Sequence, residues 1–145
     1  MAAVRRPHGG PGNTIRSLRD YARRRNLLLW FFLIIILTVP WYGLQSTPRW
    51  GAIRWPSVPG VVRRRALIDI ILNIGLYVPL GYWAIQPAKT TATRVGKVVV
   101  AAFLLSLTAE TTQLFSRRRF PSTIDLVTNT AGAWIGAMIA RARKP

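Results

Sequence analysis

Four apolar stretches, approximately 27–44, 66–85, 97–115 and 124–140, take up most of this chain, and its Lys and Arg fall almost wholly between them. A bilayer core of about 30 Å asks for roughly 20 helical residues, with about 17 to 25 tolerated, so each stretch is long enough to cross. A segment in lipid must satisfy its own backbone, and none of these alternates polar with apolar as a barrel strand would. The sequence therefore predicts an all-α, polytopic membrane protein, a bundle of four transmembrane helices occupying 27–145 behind a basic N-terminal tail at 1–26. A basic start before Leu27 to Val39 imitates a secretory signal, but Pro40-Trp41-Tyr42 stands where a small-residue cleavage site belongs, so the first stretch reads as a retained anchor.

Charge placement excludes other classes. A net charge of +17 with half of the residues hydrophobic would suit a nucleic-acid binder or a small membrane protein. The clusters Arg23 to Arg25, Arg63 to Arg65 and Arg117 to Arg119 flank the apolar stretches, as membrane-span charge does, so no nucleic-acid partner is expected. The chain has no Cys and a single His, His8, in a Pro/Gly-rich tail, so neither a metal centre nor a cofactor is expected.

With both termini on one side, that side carries thirteen Lys and Arg and the other eight. The positive-inside rule then places both termini in the cytoplasm, and the surplus of outer cations reads either as basic composition or as a surface for anions. In the tail, Met1 to Asn13 lack periodicity and are expected to be disordered. From Thr14, a candidate N-cap, Ile15, Leu18 and Ala22 recur at helical spacing with Arg16, Arg19, Arg23 and Arg24 on other faces. This predicts a short interfacial helix on the inner surface, held by anionic lipids. In the first outer loop Pro48, Pro56 and Pro59 forbid a long helix, and Trp50 and Trp55 join Trp41 and Tyr42 in an interfacial aromatic belt.

Three of the four carboxylates break the apolar pattern, each followed about one helical turn later by an amide: Asp69 with Asn73, Glu110 with Gln113, Asp125 with Asn129. An acid at the centre of a spanning helix costs roughly 2.5–3.5 kcal/mol, so such residues mark a functional or packing-critical place. At about 100° per residue the members of the first two pairs lie within roughly 60° of each other, on one face. If the spans alternate in direction, all three pairs fall in one layer, within about 10 Å of the outer helix ends. In the last stretch Asp125, Asn129, Gly132 and Gly136 form one stripe, opposite Val127 and Trp134, and the Gly132 to Gly136 spacing is a helix-packing pattern that points this face inward. The Arg63 to Arg65 and Arg117 to Arg119 clusters border the layer and can pair its carboxylates or hold a phosphate or carboxylate of a ligand.

The order Asp69-x3-Asn73-x5-Pro79-Leu80-Gly81, Glu110-x2-Gln113, Arg117 to Arg119, Asp125-x3-Asn129-x2-Gly132-x3-Gly136 resembles the VanZ-like family of small bacterial membrane proteins over about 63–140, the first span matching only as a generic anchor. The resemblance implies a multi-pass protein of the bacterial plasma membrane in a family named for resistance to the glycopeptide antibiotic teicoplanin. It implies Asn73, Glu110, Gln113, Arg117 or Arg119, Asp125 and Asn129 as signature positions. Some branches carry Asp-Lys followed by a His near a membrane helix, which has no counterpart here.

Three functions fit these residues. The first is a non-enzymatic envelope protein whose outer polar pocket of Asp69, Asn73, Glu110, Gln113, Arg117, Arg118, Arg119, Asp125 and Asn129 binds an anionic lipid headgroup, a lipid-linked wall precursor or a partner protein. The second is a small membrane enzyme acting on a lipid phosphate or glycolipid, with Glu110 or Asp125 as general acid or base. The third is structural, with the buried polar groups joining helices by hydrogen bonds worth about 0.6 to 2 kcal/mol each. Transport would require more than four spans, and hence a homo-oligomer.

Overall fold

A computed structural model of the chain describes residues 11–55, 64–85 and 91–143, which form four helices, α1 (Pro11–Thr38), α2 (Arg64–Ala84), α3 (Ala92–Leu114) and α4 (Thr123–Ala142). Among the described residues there is no strand, and the other regular element is a 3₁₀ turn at Trp50–Ala52. Two helices are long and apolar enough to cross a membrane, Ala66–Ala84 in α2 and Ala92–Leu114, the whole of α3. Only 17% and 22% of their apolar windows are buried inside the protein, whereas the core helix of a water-soluble protein is mostly buried. Leu67, Ile68, Ile71 and Leu72 of α2 and Val100, Phe103, Leu104 and Leu107 of α3 face outward, as lipid-facing side chains do.

Helix α1 is less apolar. Cations continue through α1 as far as Arg25, leaving an apolar run from Leu27 to Thr38 of about 18 Å at 1.5 Å per residue. The expected span over 27–44 ends early, at Thr38, because Pro40 has no N–H to give and disfavours helix at the residue before it. Residues 39–44 belong to the following loop, where Gly43 takes a left-handed φ of 71°. Among the described residues no separate interfacial helix precedes this run. Helix α1 is continuous from Pro11, so Pro11 to Asn13 are helical, Thr14 lies within the helix instead of capping it, and Arg16 to Arg25 share a rod with the apolar turns. Helix α3 starts five residues before the expected boundary at 97, because Thr91 caps it by accepting from Arg94 N at 3.3 Å; Arg94 and Lys97 are thus helical. Residues 1–10, with His8, and 56–63, with Pro56, Pro59 and Arg63, lie outside the described residues.

The bundle is organised around α4. Its buried face consists of Thr128, Asn129, Gly132, Ala133, Gly136, Ala137 and Ala140, all small or polar, and it packs chiefly on α2 and then on α3, while α1 lies against α2. Without large side chains the backbones meet. A Cβ on Gly132 would stand 2.5 Å from the Ile74 carbonyl oxygen, one on Gly136 would fall on Val78 and Tyr82, and one on Gly81 on Ala133. Such close approach is how helices gain packing energy in lipid, where apolar burial drives little association. Val127 and Trp134, on the far side of α4, are exposed. Above this seam sits a core of Ile34, Tyr77, Leu80, Ala102 and Ala133, and below it a second of Ile85, Val95, Ala137 and Ala140.

Candidate functional site

The C-termini of α1 and α3 and the N-terminus of α4 meet at one end of the bundle, called here the Glu110 end, and three of the sequence-predicted polar residues, Glu110, Gln113 and Arg119, satisfy helix termini there. The last four carbonyls of any helix lack partners within it. For α1 all four find one: Ile35 O accepts from Val39 N at 3.0 Å, Ile36 O from Trp41 Nε1 at 3.0 Å, Leu37 O from an Arg119 guanidinium nitrogen at 2.9 Å, and Thr38 O from Gln113 Nε2 at 3.2 Å. The start of α4 is closed in the same way. The Ser122 hydroxyl caps it, accepting from Asp125 N at 3.3 Å, while Ser122 N donates to Glu110 Oε2 at 2.7 Å and Thr123 N to Arg54 O at 3.3 Å. Glu110 is buried, so its carboxylate meets the positive end of α4 with little water between them, a favourable placement for negative charge.

Asp125 occupies the first turn of α4, half-buried, with the Ser122 hydroxyl and the Asn73 amide close by and with Asp69 and Arg54 within electrostatic range. Asp69 itself is exposed. Arg119 lies within electrostatic range of Glu110. Among the described residues, however, the ion pair within 4 Å is Asp20 with Arg23, at the opposite end, and Glu110 is held by its hydrogen bond from Ser122 N. The side chains of Arg64 and Arg65 fall outside the described residues.

One turn deeper lies a polar group that sequence reasoning only half identified. Asn129 Nδ2 donates to Ser106 Oγ at 2.9 Å in the protein interior, and Tyr77, wholly buried, stands beside Ser106. The Tyr77 hydroxyl and Asn129 Oδ1 are buried without a hydrogen-bond partner. Both missed residues were signalled by period: Asp69, Asn73 and Tyr77 run i, i+4, i+8 along α2, and Ser106, Glu110 and Gln113 run i, i+4, i+7 along α3.

Backbone pairing across the connections completes this end. Gln45 N donates to Phe115 O at 2.8 Å, Arg49 N to Leu114 O at 2.9 Å, Arg117 N to Gly43 O at 3.0 Å, and Arg54 N to Pro121 O at 2.8 Å. Arg49 adds side-chain bonds to Ser116 O and Arg117 O, and the guanidinium groups of Arg49 and Arg54 lie 5.2 and 4.7 Å from the centre of the Phe120 ring. The fully buried Ser116 accepts from Arg118 N and Arg119 N through its hydroxyl, which folds the Arg run into a tight turn. That turn separates the three cations. All three are exposed, and Arg118 and Arg119 also line a cleft of about 180 Å³ together with Trp41, Tyr42, Pro40 and Ser116. Trp50 and Trp55 are exposed outside it.

The arrangement therefore brings Asn73 to Asp125, Gln113 and Arg119 to the end of α1, Glu110 to the start of α4 and Asn129 to Ser106, and leaves Arg117 and Asp69 at the surface. Among the described residues no three His, Cys, Asp or Glu side chains come together as a metal cradle. No curated protein and no solved structure matches the chain. The VanZ/LLP1 family model matches residues 14–144, which takes in α1 and so reaches well beyond the 63–140 read from the motifs. With two helices apolar enough to span a membrane and a family match over nearly its whole length, the chain belongs to the VanZ/LLP1 family.

Proposed function

We propose that this VanZ-like protein is a non-enzymatic, multi-pass protein of the bacterial plasma membrane, with both termini in the cytoplasm, that holds the phosphate of an anionic lipid headgroup or of a lipid-linked wall precursor at the outer Glu110 end. The observation that carries the reading is the cleft shared by Arg118 and Arg119. One of its two guanidinium groups is already fixed by Leu37 O, so ordering it for a ligand costs less, and Trp41 and Tyr42 supply the amphipathic wall that suits a membrane interface. Glu110, Gln113, Asp125 and Asn129 are in this account the framework that positions the cleft, and Arg118 and Arg119 are the contacts to ligand. Native mass spectrometry of the full chain in mild detergent tests it. Arg118→Gln with Arg119→Gln should lose a phospholipid or polyprenyl-phosphate lipid that the wild type retains, while Glu110→Gln keeps it. Identical lipid retention by all three proteins removes the cleft as a binding site.

A second reading has its own support. The side-chain hydrogen bonds of Glu110, Gln113 and Asn129 each join one helix or connection to another, as a purely structural role requires. It predicts that fold and phenotype fall together in every variant of these residues. The enzymatic alternative draws less support, because Glu110 Oε2 is already committed to Ser122 N and Asp125 sits among capping partners. The family's association with teicoplanin would extend to this chain if its expression in a susceptible bacterium raised teicoplanin tolerance and the Arg118→Gln, Arg119→Gln double variant did not.

A further inference from the structure

The opposite end of the bundle, where α2 runs out at Ala84, holds a second cavity of about 240 Å³. Its walls are Arg23 of α1 and Arg94 and Lys97 of α3, and its floor is Ala84, Ile85 and Val98. Three cations from two helices thus converge on one space with an apolar base. The Arg23 side chain is only 22% exposed, and its Nε is buried with no hydrogen-bond partner, since the Asp20 oxygen at 3.9 Å is beyond hydrogen-bonding distance. A buried guanidinium N–H left unpaired costs free energy that an anion in the cavity would restore.

Among the described residues, nothing else at this end supplies the missing charge. The described residues bring five Arg from α1, an Arg and a Lys from α3, Arg141 from α4 and Arg143 just after it, against one acid, Asp20. The other three carboxylates of the chain lie towards the Glu110 end. Arg143 is engaged with Tyr82, donating to its hydroxyl at 3.2 Å and stacking on its ring. Arg23, Arg94 and Lys97 have no such partner among the described residues, apart from the long contact of Arg23 with Asp20. Arg94 lies in the first turn of α3, so the positive end of that helix's dipole adds to the attraction for an anion.

We infer that this cavity is a second anion site, in which Arg23, Arg94 and Lys97 bind the phosphate of an acidic phospholipid while the Ala84, Ile85 and Val98 floor receives the upper part of its acyl chain. The site is independent of the cleft at Arg118 and Arg119 and survives if that cleft fails. It also assigns a task to the continuity of α1, since the same rod that carries Ile34 into the core carries Arg23 to the headgroup level.

The test is calorimetric titration of the full chain in mild detergent with dioctanoyl phosphatidylglycerol, dioctanoyl phosphatidylcholine and inorganic phosphate as separate probes. The wild type should bind phosphatidylglycerol saturably and more tightly than phosphatidylcholine. Arg23→Gln and Lys97→Gln should each weaken that binding by about tenfold, the scale of one charge-assisted hydrogen bond. Arg16→Gln, which removes a charge from the same helix outside the cavity, should leave it unchanged. Lys97 is exposed, so its variant keeps the test decisive if Arg23→Gln does not fold by circular dichroism. Inorganic phosphate bound with the same variant dependence would identify a soluble phosphate as a sufficient ligand, and no phosphate binding would identify the lipid. An equal loss in Arg16→Gln, or no saturable binding of any probe by the wild type, overturns the inference.

Discussion

Replacing Gly136 with Ala should separate two effects that usually travel together. Ala is the better helix former by about 0.8–1.0 kcal/mol, so on propensity alone the change stabilises. In this bundle the added methyl would stand 2.8 Å from Tyr82 N, where ordinary contact begins at 3.4 Å, and nearer still to the Val78 carbonyl oxygen. Both obstacles are backbone atoms, which cannot rotate aside, so α4 must lift off α2 along its main seam. Overpacking of this kind costs about 1–3 kcal/mol, which leaves a net loss of up to about 2 kcal/mol after the propensity gain. Gly75→Ala is the matched control. It lies in α2, with nothing within 4 Å of the new Cβ, and should be neutral or stabilising by up to about 1 kcal/mol. Gly81→Ala, whose methyl meets Ala133 from the other side of the seam, should behave like Gly136→Ala. Reversible unfolding in mixed micelles, followed by tryptophan fluorescence, gives the ranking. If Gly136→Ala is as stable as Gly75→Ala, the close approach of α2 and α4 is not what holds the bundle together.

Glu110→Ala should destabilise by about 1–3 kcal/mol through the stranded Ser122 N–H, and Glu110→Gln should recover most of that by returning an acceptor, both read from the same unfolding assay. Ser106→Ala and Asn129→Ala should be coupled in a double-mutant cycle by about 0.6–1.7 kcal/mol, the range for side-chain hydrogen bonds in lipid; additive costs would refute the pairing. Phe120→Leu removes the ring between Arg49 and Arg54 at an expected cost of about 1 kcal/mol, and should speed trypsin cleavage after those two residues; an unchanged cleavage rate would argue against the contact.

Helical class, the positions of α2 and α3 and the family were legible because each rests on a strong, local signal: length of apolar run, or costly polar residues at set intervals. Helix ends were less so. The first stretch looks apolar through Leu44, yet Pro40 stops the helix at Thr38, and Arg94 fell outside the expected span although Thr91 had already started α3. In the polar layer, carboxylates and amides stood out against hydrocarbon, whereas Ser106 and Tyr77 on the same periods did not, because neither is unusual in a membrane helix. The sequence also listed three adjacent Arg without distinguishing them; the turn around Ser116 sends Arg119 back to α1 and leaves Arg117 outside, a difference made by backbone geometry. The pairing of 43–54 with 114–123 had no sequence signature at all, since its bonds run between main-chain atoms.

That pairing also sets a timetable. Arg49 reaches Ser116 across 67 residues of chain, so none of the clasp can close until α3 has been made and inserted. At roughly 5–20 residues per second, the first connection waits about 3–13 s for its partner during synthesis. Throughout that interval the orphan carbonyls Leu37 O and Thr38 O of α1 lack the Arg119 and Gln113 that later cover them. The Glu110 end thus cannot become native before α3 is complete, and a nascent chain stalled before residue 113 leaves Leu37 O and Thr38 O of α1 uncovered.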